Sequence, residues 1–106
     1  MLSRIVAYVP DLMDRSKIDN AATVEVVFVG DLADLVAEAA ASDLVVVDLG
    51  RPGVLDVLPD VTGLGVRTIA FGAHVDRELM DAGRAAGCDQ VFARSAFFCS
   101  VDALLR

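Results

Sequence analysis

The 106-residue chain predicts a single α/β domain built on a doubly wound, five-stranded parallel sheet with helices on both faces. Three observations carry that prediction. Five short apolar runs alternate with five helical stretches, the pattern of repeated strand-helix units. The middle run, Leu44-Val45-Val46-Val47, has no polar alternation, as befits a strand covered on both faces. A hydrophobic content of 56% with a mean hydropathy of +0.59 is ample for a packed core and excludes a disordered chain.

Residues 3–9 form a compact apolar run closed by Pro10 and read as the first strand. Asp11 then caps a helix in which Leu12, Met13, Ile18 and Ala22 supply the inward stripe. The β-branched segment 23–29 is the second strand and ends at Gly30. Asp31 caps an alanine-rich helix to about Ala41, with Leu32, Leu35, Val36 and Ala39 facing inward. Residues 43–48 are the central strand. Pro52 and Pro59 bracket a segment in which only a short or irregular helix is expected. The fourth strand covers 66–71, with Thr68 at its entry, and the following helix 75–86 stops at Gly87. A short fifth strand, 90–93, precedes a final amphipathic helix over 96–105 carrying Phe97, Val101, Leu104 and Leu105.

A formal net charge of -7 repels phosphate backbones and argues against nucleic-acid binding. No apolar stretch approaches the roughly 20 residues of a membrane span, and the amino-terminal residues lead straight into strand-like sequence, so a cytoplasmic setting is expected. Cys88 and Cys99 lack the spacing of a redox or zinc pair and are expected to be buried and reduced. No linker interrupts the chain. It reads as one domain, 1–106, with no effector domain attached.

Asp48 falls at the carboxyl end of the central strand, beside the crevice where open α/β sheets bind ligands. Val45-Val46-Val47-Asp48-Leu49-Gly50-Arg51-Pro52, with proline four residues after the aspartate, resembles the phosphoacceptor strand of bacterial response-regulator receiver domains. Ala85-Ala86-Gly87-Cys88-Asp89-Gln90-Val91-Phe92-Ala93-Arg94-Ser95 is similar to that family's approach to its fifth strand. The likeness spans nearly the whole chain and implies a flavodoxin-like fold with strand order 2-1-3-4-5. It places Asp48 at the phosphoacceptor position.

The rest of the implied site is altered. Receivers hold Mg²⁺ with acidic residues after the first strand, and those positions fall here on Val9 and Pro10, or on Tyr8 and Val9, which offer no carboxylate. Asp11 and Asp14 are each candidate substitutes, but Asp11 is read first as a helix cap and Asp14 as part of a solvated helical face. Gly72, followed by Ala73 and His74, stands where the family places the hydroxyl that transmits activation. Arg94 and Ser95 replace the family's lysine and proline, so that a direct Arg94–Asp48 pair is expected, and Val91 replaces the switching aromatic. His74, the only histidine, reads as an exposed loop residue at the crevice mouth, and Arg51, Arg67, Arg77 and Arg84 read as surface charges.

These residues suggest a stand-alone pseudo-receiver without enzymatic activity or cofactor, acting in signal transduction as a protein-interaction or dimerisation module. The resemblance puts its partner surface on the fourth helix, fifth strand and fifth helix, where Leu79, Met80, Phe97, Phe98 and Leu104 lie. Adjacent Phe97 and Phe98 cannot face the same way on a helix, so one is either presented to a partner or folded under the preceding loop. The alternative is an active receiver, phosphorylated on Asp48 by a histidine kinase with Mg²⁺ held by Asp48 and Asp11. A flavin- or nucleotide-binding domain is a third possibility, disfavoured because Val9-Pro10-Asp11-Leu12 is no phosphate cradle.

Overall fold

A computed structural model describes residues 2–106. In chain order the elements are β1 (Arg4–Tyr8), α1 (Leu12–Ala21), β2 (Glu25–Phe28), α2 (Leu32–Ala39), β3 (Leu44–Asp48), α3 (Val54–Thr62), β4 (Arg67–Gly72), α4 (Arg77–Ala85), β5 (Gln90–Ala93), α5 (Arg94–Cys99) and α6 (Val101–Leu104). All strand pairs are parallel, as the alternating strand and helix pattern predicts, and the order is β2-β1-β3-β4-β5, the one the family resemblance implies. Tyr8 pairs with Val47, which aligns the carboxyl end of β1 beside that of β3.

Alternation along the strands sends side chains into two layers. Ile5, Ala7, Leu44, Val46, Ile69 and Phe71 meet Ile18 of α1 and Phe97, Val101 and Leu105 from the carboxyl-terminal helices. Val6, Val45, Val47 and Ala70 face the opposite way, onto Leu35 and Ala39 of α2 and Val54, Leu58 and Val61 of α3. Every residue of β3 is buried, which accounts for its unbroken apolar sequence.

Three elements depart from the expected pattern. The α3 segment forms nine residues of helix despite Pro59 within it. Pro52 lies ahead of the helix, Gly53 starts it at φ 81°, and only Pro59 interrupts the ladder. An interior proline costs about 3 kcal/mol, opposed here by burial of Val54, Leu58 and Val61. The final helix is broken at Ser100, whose amide closes a three-residue turn onto the Phe97 carbonyl. In α1 Ile18 is buried and Ala22, at the C-cap, packs on the core, as expected, but Leu12 and Met13 are 76% and 72% exposed and Asp14 takes the inward position instead.

Side chains also fix the strand entrances. Thr68 donates its hydroxyl to the Val66 carbonyl and its amide to Asp89, as suits a strand-entry residue. Asp43 accepts from the Ser3 hydroxyl, the Ser3 amide and the Arg4 amide, tying the start of β1 to the start of β3. Those bonds, the Ser3 hydroxyl foremost, hold the Asp43 carboxyl below its ordinary value. A lowered carboxylate contributes stability above its unfolded value and loses it as pH falls through the folded one. Asp43→Asn should therefore flatten the acid limb of the stability curve below about pH 4, measured by urea unfolding across pH; an unchanged limb would exclude this tie as its source.

The two cysteines differ. Cys88 is half-buried, and desolvation, helped by the Asp89 carboxylate, pushes its thiol up to about 11. Cys99 is exposed, contrary to the expectation of burial, because the face of α5 that carries it turns away from Phe97.

Candidate functional site

The carboxyl ends of the parallel strands share one edge of the sheet, and Asp48 closes β3 there, 8% exposed. Its oxygens are engaged by the turn that follows: Oδ1 accepts from the Gly50 amide at 2.9 Å and Oδ2 from Arg51 Nε at 3.2 Å. The backbone next to it is pinned as well, since the Leu49 amide donates to the Phe71 carbonyl at 2.9 Å. Arg51, expected to be a free surface charge, is thus the partner of Asp48.

Arg94 has a different partner from the one expected. Its guanidinium donates to Asp14 Oδ1 and lies over the rings of Phe71 and Phe98, at 5.7 and 5.2 Å from their centroids. Asp14, expected on a solvated face, has a side chain only 1% exposed, and its Oδ2 is buried without a hydrogen-bond partner. The reason is positional. Arg94 follows β5 directly, on the layer where α1 packs, and there it meets a carboxylate one turn into α1. Asp48 meanwhile is satisfied within its own loop. The bond to Asp14 raises the Arg94 pKa most, burial opposes it, and the charges of Asp14, Asp48 and Asp11 add to the rise.

Asp11 is the N-cap of α1, as the sequence indicates, accepting from the Asp14 amide at 3.0 Å. That bond and one from the Met13 amide lower its pKa against desolvation, with Arg94 and Arg51 contributing further. Asp11, Arg51 and Arg94 therefore share one electrostatic field at the crevice. Gly72 is buried at the end of β4, whereas Ala73, His74 and Ser95 are exposed. His74 lines a groove of about 400 Å³ with Arg77, Met80, Asp81, Arg84 and Ala93. A second hollow of about 450 Å³ opens beside Asp48, walled by Leu49, Arg51, Leu55, Asp76 and Leu79 among others.

The donors do not suit Mg²⁺, which wants near-octahedral oxygen ligation. Among the described residues no three His, Cys, Asp or Glu side chains converge as a metal site. Val9 and Pro10 offer no carboxylate, a guanidinium sits on Asp48, and another sits on Asp14. What this arrangement does is neutralise carboxylates with the chain's own arginines.

The aromatic residues assigned to a partner surface pack inward. Phe97 is fully buried and stacked on Phe71 with ring centroids 4.8 Å apart, and Phe98 stands edge-on to the same ring at 5.3 Å. Leu104 packs against the same core, while Leu79 and Met80 stay partly exposed. The sequence does not show that Arg51 pairs with Asp48, that Asp14 is buried beneath Arg94, or that Leu49 adjoins the site. The spacing of Arg51, three residues past Asp48 across a turn, was the one available signal.

A five-stranded parallel sheet in the order 2-1-3-4-5, with a buried aspartate closing the central strand, is the receiver or CheY-like form of the flavodoxin fold. Solved response-regulator structures match it across its length. A response regulator from Hahella chejuensis superposes with a TM-score of 0.84 at 17% identity, over 97% of this chain and 92% of that one. The phosphorylated cyanobacterial phytochrome response regulator RcpA gives 0.79 at 16% identity, over 98% and 91%. A CheY-like protein, tadZ, from Pseudomonas aeruginosa gives 0.79 at 19%, over 98% and 97%. No protein-family model and no curated protein matches the sequence.

Proposed function

We propose that the chain is a receiver-like protein-interaction module of signal transduction, a single domain over 1–106 with no enzymatic activity, in which Asp48 organises a turn instead of accepting a phosphoryl group. The observation that carries this reading is the closure of Asp48 by the Gly50 amide and the Arg51 guanidinium, with no carboxylate at Val9 or Pro10 to join it. Phosphoryl transfer depends on a positioned cation and hydrogen-bond donors around the transferring group; the positions whose acidic residues hold Mg²⁺ in receivers carry Val9 and Pro10 here, and the position of the hydroxyl carries Gly72. The fold likeness to response regulators supports the signalling assignment.

The partner, another protein or a second copy, docks on the face formed by α4, β5 and α5. Leu79 and Met80 remain accessible there; Phe97 belongs to the core. Net charge -7 speaks against nucleic acid as the partner. Among the described residues no helix is long and apolar enough to cross a membrane, which agrees with a cytoplasmic place of action.

Intact-mass measurement after incubation with a small phosphodonor and Mg²⁺ tests the assignment. The mass should not change. Addition of one phosphoryl group that disappears in Asp48→Ala would establish an active receiver and overturn it.

A further inference from the structure

The residue that follows Asp48 occupies an unusual position. Leu49 is 2% exposed, and its side chain fills a slot between the end of β4 and the underside of α4. Two glycines shape that slot. A Cβ on Gly72 would stand 3.7 Å from Leu49 Cβ and 3.9 Å from its Cδ1, in ordinary contact. A Cβ on Gly83 would stand 2.9 Å from Leu49 Cδ1, so that the leucine would have to shift, and 3.3 Å from Cδ2, a tight contact. Gly83 is also the one buried residue of α4, so the helix reaches the sheet at the point where it has no side chain and Leu49 enters.

We propose that Leu49, seated between Gly72 and Gly83, couples the Asp48 turn to α4 and sets the position of that helix. The turn is rigid at its base, because Asp48 is held by Gly50 and Arg51 and the Leu49 amide is held by Phe71. Leu79, on the same helix, lies 3.7 Å from the Gly72 Cβ position and shares the hollow beside Asp48 with Leu49 and Arg51. Displacement of the Asp48 turn therefore moves Leu49 against the backbone of α4. This coupling is steric and uses no hydroxyl at the end of β4, where the chain carries Gly72. It is independent of the identity of any partner and of whether Asp48 accepts a phosphoryl group.

Amide hydrogen exchange on the full chain reads the coupling. Leu49→Ala should speed exchange across 77–85 by about tenfold through local opening, while the amides of β1 and β3, which open only with the whole domain, report the accompanying loss of global stability separately. Gly83→Ala should also speed exchange in α4, through collision with Leu49. In the Leu49→Ala background the same substitution should slow it, because alanine's helix propensity then acts unopposed. Should Leu49→Ala not fold, Leu49→Val with and without Gly83→Ala gives the same comparison, the loss from Gly83→Ala shrinking in the valine background. Arg51→Ala, which frees the turn, should loosen α4 in the natural chain and add nothing once Leu49 is truncated. An effect of Gly83→Ala that is equal in all backgrounds, acceleration spread evenly over every element, or an Arg51→Ala effect that is absent or persists without Leu49 would each overturn the proposal.

Discussion

Phe97→Ala is expected to lower stability by about 4 kcal/mol, the range for deleting a large aromatic from a close-packed core. Phe97 has no exposed surface, stacks on Phe71, and lies 6.4 Å from the Phe92 ring centroid and 4.9 Å from that of Phe98. A domain of this size is stable by only about 5–15 kcal/mol, so the variant sits near the edge of folding. Urea unfolding at constant m-value measures the effect. The outcome also decides between two roles for this residue. A partner-contacting phenylalanine would leave the midpoint of the isolated chain almost unmoved, and a loss under about 1 kcal/mol would return Phe97 to the surface.

Arg94→Met is expected to produce the next largest loss, about 2 kcal/mol. Removing one member of a buried pair strands the other; the usual 3–5 kcal/mol is reduced here because Arg94 is half-exposed and screened by solvent. Asp14 would be left with a side chain 1% exposed and with neither oxygen satisfied. Joint replacement, Asp14→Leu with Arg94→Met, should recover most of the stability, since apolar groups often replace a buried ion pair without penalty. A double variant no more stable than Arg94→Met would refute this account. Because the Arg94 pKa is raised, the pair's contribution from that side is complete below the guanidinium's ordinary range and is lost only above it, leaving neutral pH without effect.

The sheet was readable because its signals are local. Runs such as Leu44 to Val47 state strand and burial together, and the caps Asp11 and Asp31 mark helix starts through their own side chains. The inward face of α1 was readable only in part. Hydrophobicity alone selects Leu12 and Met13 and rejects Asp14, and only the arrival of Arg94, 80 residues later, makes a carboxylate acceptable inside. The α3 helix was underestimated for a related reason. A proline announces its local penalty, while the apolar face that offsets it is tertiary. At the crevice, the residues that close the strands, Val9 and Pro10 after β1 and Gly72 at the end of β4, could be read position by position. Which arginine answers which aspartate depended on the layer into which each side chain is directed, and that is a property of the assembled sheet.

Tyr8 gives the molecule a built-in optical reporter. The chain has one tyrosine and no tryptophan, and that tyrosine ends β1 opposite Val47, immediately before Asp48. Phenolic emission from the unmodified protein thus originates at a single place, the carboxyl end of β1 alongside that of β3, and events at the acidic tip of the middle strand can be followed by light without attaching a dye.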